Sequence, residues 1–174
     1  APPPPSLGRT PPPLPRPGRV SVFDRSHYED VLVHRVRELS PLAEVEERYG
    51  AIREFESSVR AAGTRIVKVM LRISAEEQAE RLLARLDDPT KHWKFNEGDL
   101  DDRAYWDEYM DAYRIAIERT DTEDAPWFVV PADRKCFARL AVQQLLIETL
   151  QGLDLDGPGA DFDVAAARRR LLAG

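Results

Sequence analysis

Apolar positions recur along most of the chain at spacings that indicate their own secondary structure. Leu42, Val45, Tyr49, Ile52, Phe55 and Val59 fall at three- and four-residue intervals, which predicts one amphipathic helix of about 20 residues. Gly63 ends it, because glycine accepts the left-handed conformation that closes helices. Thr64 to Ile73 is then β-branched and apolar (Ile66, Val67, Val69, Leu71, Ile73) and predicts a strand. Ser74 with Glu77 forms a capping box that opens a further helix, with Leu82, Leu83 and Leu86 as its apolar face and Asp87-Asp88-Pro89 as its stop. A polar, basic loop covers 87–99. Asp99 and Asp102 start another helix lined by Trp106, Tyr109, Met110, Tyr113 and Ile117. Trp127-Phe128-Val129-Val130 predicts a strand. Asp133 is read as the cap of a last long helix through about Leu150, with Phe137, Leu140, Leu145 and Ile147 inward and Cys136 on its apolar side. Before all of these, Val20-Ser21-Val22-Phe23-Asp24 reads as a short buried strand ending in an acid, and Ser26 as the cap of a helix through about Val36. Strands alternating with helices imply parallel strands in a layered α/β sheet. Ligands bind such sheets at the carboxyl ends of the strands, where Asp24, Ser74 and Pro131 to Asp133 are expected.

Composition sharpens the boundaries. Nine of the 14 prolines fall between Pro2 and Pro17, and no acidic residue occurs in 1–18, so that segment is expected as polyproline II or disorder. Residues 19–153 form the expected globular domain, and 154–174 a mixed tail with a short helix near 163–172. The net charge of −6 argues against general nucleic-acid binding. A single cysteine forms no internal disulfide, and no apolar run approaches the roughly 20 residues that span a bilayer. The expectation is a cytoplasmic protein with no membrane partner.

Three constellations carry candidate chemistry. An acid at the tip of a strand, Asp24, suits a metal held near phosphates, and the neighbouring Arg25 suits a phosphoryl oxygen; the bland alternative is that the two pair with each other or cap the next helix. Arg81 and Arg85 share a helix face and precede Lys91 and Lys94, a cationic set able to screen a phosphate chain or simply to form solvated pairs such as Glu77–Arg81. The turn Pro131-Ala132-Asp133-Arg134-Lys135 closes the last strand. The three histidines lack metal-ligand spacing.

These residues carry a resemblance. Asp24-Arg25-Ser26-His27-Tyr28-Glu29-Asp30-Val31-Leu32-Val33 resembles the second phosphate motif of the polyphosphate kinase 2 family. Leu86-Asp87-Asp88-Pro89-Thr90-Lys91-His92-Trp93-Lys94-Phe95 is similar to that family's lid. Ala125-Pro126-Trp127 and Val130-Pro131-Ala132-Asp133-Arg134-Lys135 are similar to its last strand and turn. The matches run in family order from about Pro17 to Leu153. The resemblance implies a three-layer α/β/α P-loop kinase fold like that of thymidylate kinase. It implies Mg²⁺-dependent phosphoryl transfer between inorganic polyphosphate and a nucleoside mono- or diphosphate (ADP, AMP or GDP), in either direction. It makes Asp24 a catalytic Walker B-type acid and metal holder, and Arg25 a ligand of the nucleotide phosphate. Arg81, Arg85, Lys91 and Lys94 become lid cations over the phosphate chain. His27, Tyr28, Asp133 and Arg134 join Arg25 on the nucleotide side. A homo-oligomer is implied for a complete member.

The chain also departs from the family. A G-x-x-x-x-G-K loop is expected well upstream of Asp24, yet residues 1–23 hold Gly8 and Gly18 with no lysine and no such spacing. The sheet is therefore expected to be incomplete, missing the strand that carries this loop, and the proline-rich start reads as a truncated or frame-shifted product. Loss of the backbone cradle is expected to cost on the order of several kcal/mol of transition-state stabilisation. Two other functions stay open: a non-catalytic nucleotide or polyphosphate binder, and a proline-rich interaction module around Pro11-Pro12-Pro13-Leu14-Pro15-Arg16.

Overall fold

The structure is a computed structural model that describes residues 14–16, 18–153, 155, 157 and 159–173. Most of the proline-rich segment expected at 1–18 lies outside the described residues. The elements run α1 (Glu29–Val36), α2 (Leu42–Ala61), β1 (Lys68–Arg72), α3 (Ala75–Leu86), a 3₁₀ helix (Pro89–Lys94), α4 (Gly98–Ala104), α5 (Trp106–Thr120), β2 (Trp127–Pro131), α6 (Lys135–Gln151) and α7 (Val164–Ala173).

The two strands pair in parallel, with Lys68 opposite Trp127 and Leu71 opposite Val130. Residues opposite each other in this register share a face, so the ladder separates two cores. On one side Tyr28, Val31, Leu32, Val45, Tyr49, Ile52, Ala112 and Ala116 bring α1, α2 and α5 together, with Trp127 packed against them. On the other, Val130, Ala132 and Ala138 are buried with Val69, Phe128, Ala141 and Leu145, which seats α6. The α2 stripe is buried where the periodicity places it, and Gly63 follows the helix at φ +90°.

Several expectations are corrected. Val20–Asp24 forms no strand: Val22 is 84% exposed, and the sheet of described residues contains β1 and β2 alone. An isolated extended segment has no ladder partner to satisfy its backbone groups, so its apolar pattern is not enough to make it a strand. The sheet thus has two strands instead of three. α1 begins at Glu29 with Tyr28 at its N-cap, and Ser26 only tightens the turn before it, accepting from the Tyr28 N–H at 3.4 Å. The helix expected from Asp99 breaks at Tyr105, over whose ring the Arg37 guanidinium sits at 4.5 Å. α6 turns its alanine face, Ala138 and Ala141, toward the sheet because small side chains allow the closer approach. Phe137, Leu140 and Ile147 are left exposed, and so is Cys136. In α3, Leu82 is buried while Leu83 and Leu86 face outward.

Candidate functional site

Ser74 leaves the carboxyl end of β1 and caps α3, its hydroxyl accepting from the Glu77 N–H at 3.1 Å. The Ser74 N–H donates to Asp133 Oδ1 at 2.7 Å. That bond corrects the expected role of Asp133: it does not cap α6, whose N-cap is Arg134 without a side-chain bond, but joins the ends of the two strands. Arg81, one turn and a half into α3, completes the junction. Its Nε donates to Glu77 Oε1 at 2.7 Å and its Nη2 to the Ala132 carbonyl at 2.7 Å. The structure therefore brings Ser74, Arg81 and Asp133 together at the sheet end where α/β folds bind ligands. Arg81 is engaged in this junction by an acid and a backbone carbonyl.

The remaining cations follow along α3 and the 3₁₀ helix. Arg85 Nη1 lies 3.4 Å from Asp99 Oδ2, which ties α3 to α4. Asp88 caps the 3₁₀ helix by accepting from the Thr90 N–H at 3.0 Å and pairs with Lys91 Nζ at 2.7 Å. Bonding from Lys91, then from Thr90, holds the Asp88 carboxyl down at about 2. Lys94 Nζ sits 4.9 Å from the centre of the Trp93 ring. Pairs this exposed are weak and exchange readily with other anions.

Asp24 and Arg25 occupy the turn before α1. Asp24 is exposed, and among the described residues no hydrogen bond or ion pair engages it. Arg25 is 76% exposed and lies 3.6 Å from Glu29 Oε1. Among the described residues no hydrogen bond or ion pair joins either residue to α3 or the 3₁₀ helix. Arg134 is exposed at the start of α6. His27 and Tyr28 point inward: Tyr28 is buried, which places it inside the protein and not on an open nucleotide face.

What Tyr28 meets there was missed in the sequence. Its hydroxyl donates to Glu56 Oε1 at 2.7 Å, and Lys68 Nζ donates to Glu56 Oε2 at 2.7 Å, to Tyr28 Oη at 3.1 Å and to the Thr120 carbonyl at 2.8 Å. His27 Nε2 lies 3.6 Å from Glu56 Oε1, beyond a good hydrogen bond. Burial pushes the Glu56 carboxyl up, but the nearby His27 ring and the bonds from Lys68 and Tyr28 outweigh it and the net shift is downward. Burial, then the Glu56 charge, pushes the Tyr28 hydroxyl far up. A signal existed: Glu56 falls on the apolar stripe of α2, between Ile52 and Val59, and Lys68 interrupts an apolar run. A charge at such a position either has a partner or does not stay buried.

The profile of the family described as Polyphosphate kinase 2 matches residues 7–156. The chain is 50% identical over 145 residues to an AMP/ADP-polyphosphate phosphotransferase of Meiothermus ruber, covering 83% of this chain and 54% of that protein. It is 45% identical over 178 residues to an ADP-polyphosphate phosphotransferase of Rhodopseudomonas palustris, covering 95% of this chain and 60% of that protein. The crystal structure of polyphosphate kinase 2 from Arthrobacter aurescens superposes with a TM-score of 0.86 at 61% identity, over 92% of this chain and 57% of that one. The chain thus spans little more than half the length of these relatives. Its helix-rich α/β architecture with a parallel sheet is that of the solved polyphosphate kinases 2. By sequence over most of its length and by fold, the chain belongs to the polyphosphate kinase 2 family.

Proposed function

We infer that the protein transfers phosphoryl groups between inorganic polyphosphate and a nucleoside mono- or diphosphate, with AMP and ADP as first candidates and GDP as a further one. The single observation that carries the reading is the junction of Ser74, Arg81 and Asp133 at the carboxyl ends of two parallel strands, continued by the half-buried Arg85 and the exposed Lys91 and Lys94. The activities named for relatives at 45–50% identity support the same chemistry. Phosphoryl transfer asks a protein mainly for positioning and for stabilisation of anionic oxygens, and that is what such groups supply.

In this reading Arg85 and Lys91 exchange their acidic partners for the phosphates of the chain substrate and Lys94 joins them, while Arg81 holds the site together. Arg25 meets the nucleotide phosphate, with Asp133 and Arg134 near the nucleotide. Asp24 fits Mg²⁺: the ion is commonly held by one or two carboxylates together with substrate phosphates and water, and this carboxylate is exposed and unengaged among the described residues. Among those residues no three carboxylate, imidazole or thiol groups gather into a set that could hold an ion by itself. Bound there, Mg²⁺ would neutralise charge on the transferring group. Residues 19–153 are the functional unit in this reading and 154–174 a tail. A cytoplasmic homo-oligomer is part of the same proposal, and no described helix is long and apolar enough to cross a membrane.

The test is ATP formation from ADP and polyphosphate with Mg²⁺, assayed on the protein beside Arg85→Ala. Turnover that falls in the variant supports the reading. Binding of polyphosphate without turnover would reduce the protein to a binder, and neither binding nor turnover would reject the proposal.

A further inference from the structure

The buried group around Glu56 extends beyond one ion pair. It joins four segments at one point: Glu56 from α2, Lys68 from β1, the carbonyl of Thr120 at the end of α5, and Tyr28 at the N-cap of α1. Tyr28 is the only one of these that belongs to the turn carrying Asp24 and Arg25, and it follows Arg25 by three residues. The tyrosine ring packs edge-on against Trp127, with centroids 4.8 Å apart, while its hydroxyl reaches the carboxylate. Among the described residues the exposed start of the turn is held by the Arg25–Glu29 pair at 3.6 Å, the Ser26 hydroxyl contact at 3.4 Å and the Ser26 carbonyl, which accepts from the Glu29 N–H at 3.1 Å.

We propose that Tyr28, held by Glu56 and Lys68, is a positioning residue for the Asp24–Arg25 turn, fixing the angle at which that turn leaves α1. The inference rests on the reading of Arg25 as a nucleotide contact. The carboxylate and ammonium hold the hydroxyl in one place, the N-cap residue transmits that placement to the first turn of α1, and Arg25 follows. The hydroxyl touches no substrate and acts only through this linkage.

Tyr28→Phe tests it. The change removes one O–H, keeps the ring against Trp127, and leaves Lys68 two acceptors, so the fold is retained. Two readouts are expected to move in the protein. Amide hydrogen exchange of residues 24–29 rises at least about tenfold while β1 and the middle of α2 keep their protection. The KM for the nucleotide rises about tenfold while the KM for polyphosphate does not change, because misplacement reaches only one substrate. Unchanged exchange at 24–29 would overturn the proposal. So would a fall in kcat that merely tracks the folded fraction with both KM values unmoved. If the unsubstituted protein turns over no nucleotide, the functional reading fails by itself, and the exchange experiment still decides whether the hydroxyl holds the turn.

Discussion

Two lysine–carboxylate pairs in this protein have the same length and opposite consequences. Lys68 Nζ and Glu56 Oε2 are 2.7 Å apart with side chains 6% and 4% exposed; Lys91 Nζ and Asp88 Oδ2 are also 2.7 Å apart, with side chains 50% and 35% exposed. Distance therefore decides little. In the interior each charge has lost its water, and the pair persists because Tyr28, Thr120 and His27 surround it; removing one partner strands the other. At the surface, water and salt replace either partner at small cost, which is what the proposed function asks of Lys91 if it is to trade Asp88 for a substrate phosphate. One pair is built to stay and the other is able to open.

The comparison can be broken most severely at the buried pair. Lys68→Met leaves Glu56 buried and unpaired and is expected to cost about 3–5 kcal/mol in a urea unfolding titration, whereas Lys68→Met combined with Glu56→Leu recovers most of it. A single substitution costing under about 1 kcal/mol would mean the interior is wetter than drawn. Acid provides the next test. Glu56 has a folded pKa below its ordinary 4.5, so its contribution is present above that value and is lost as pH falls through the depressed native one. Unfolding titrations at pH 7 and pH 3 should therefore show a smaller acid loss in the double variant than in the unsubstituted protein. Asp88, held at about 2, is at the surface and adds little to that slope.

At the exposed pair the expected effects pass from stability to substrate. Lys91→Ala raises the KM for polyphosphate about fivefold, an effect of about 1 kcal/mol on binding, and the rise shrinks as salt is added. The smallest effect belongs to Asp88→Asn, which leaves global stability nearly unchanged in thermal unfolding. A loss there as large as at Lys68 would erase the distinction between the two pairs.

Much of this was readable along the chain. The α2 stripe, the Gly63 end, the Ser74 cap of α3 and the parallel pairing of the 68–72 and 127–131 segments follow from local pattern and steric preference, which act within a few residues. The cations of the 81–94 stretch were legible as a set because they are close in sequence. Three-dimensional packing settled the rest. Val20–Asp24 has the apolar pattern of a strand and is not one, because a strand exists only with a partner for its backbone. α6 offered two apolar faces, and only the fit of Ala138 and Ala141 against the sheet chose between them. Asp133 had the chemistry of a cap, yet the nearness of Ser74, 59 positions away, gave its carboxylate another donor. Sequence alone therefore determined the long helices α2, α3 and α6, the two stretches that became the parallel strands, and where positive charge accumulates. Tertiary structure alone decided that Tyr28, Glu56 and Lys68 meet, because burial of a charge depends on partners brought from distant parts of the chain, and no local pattern specifies them.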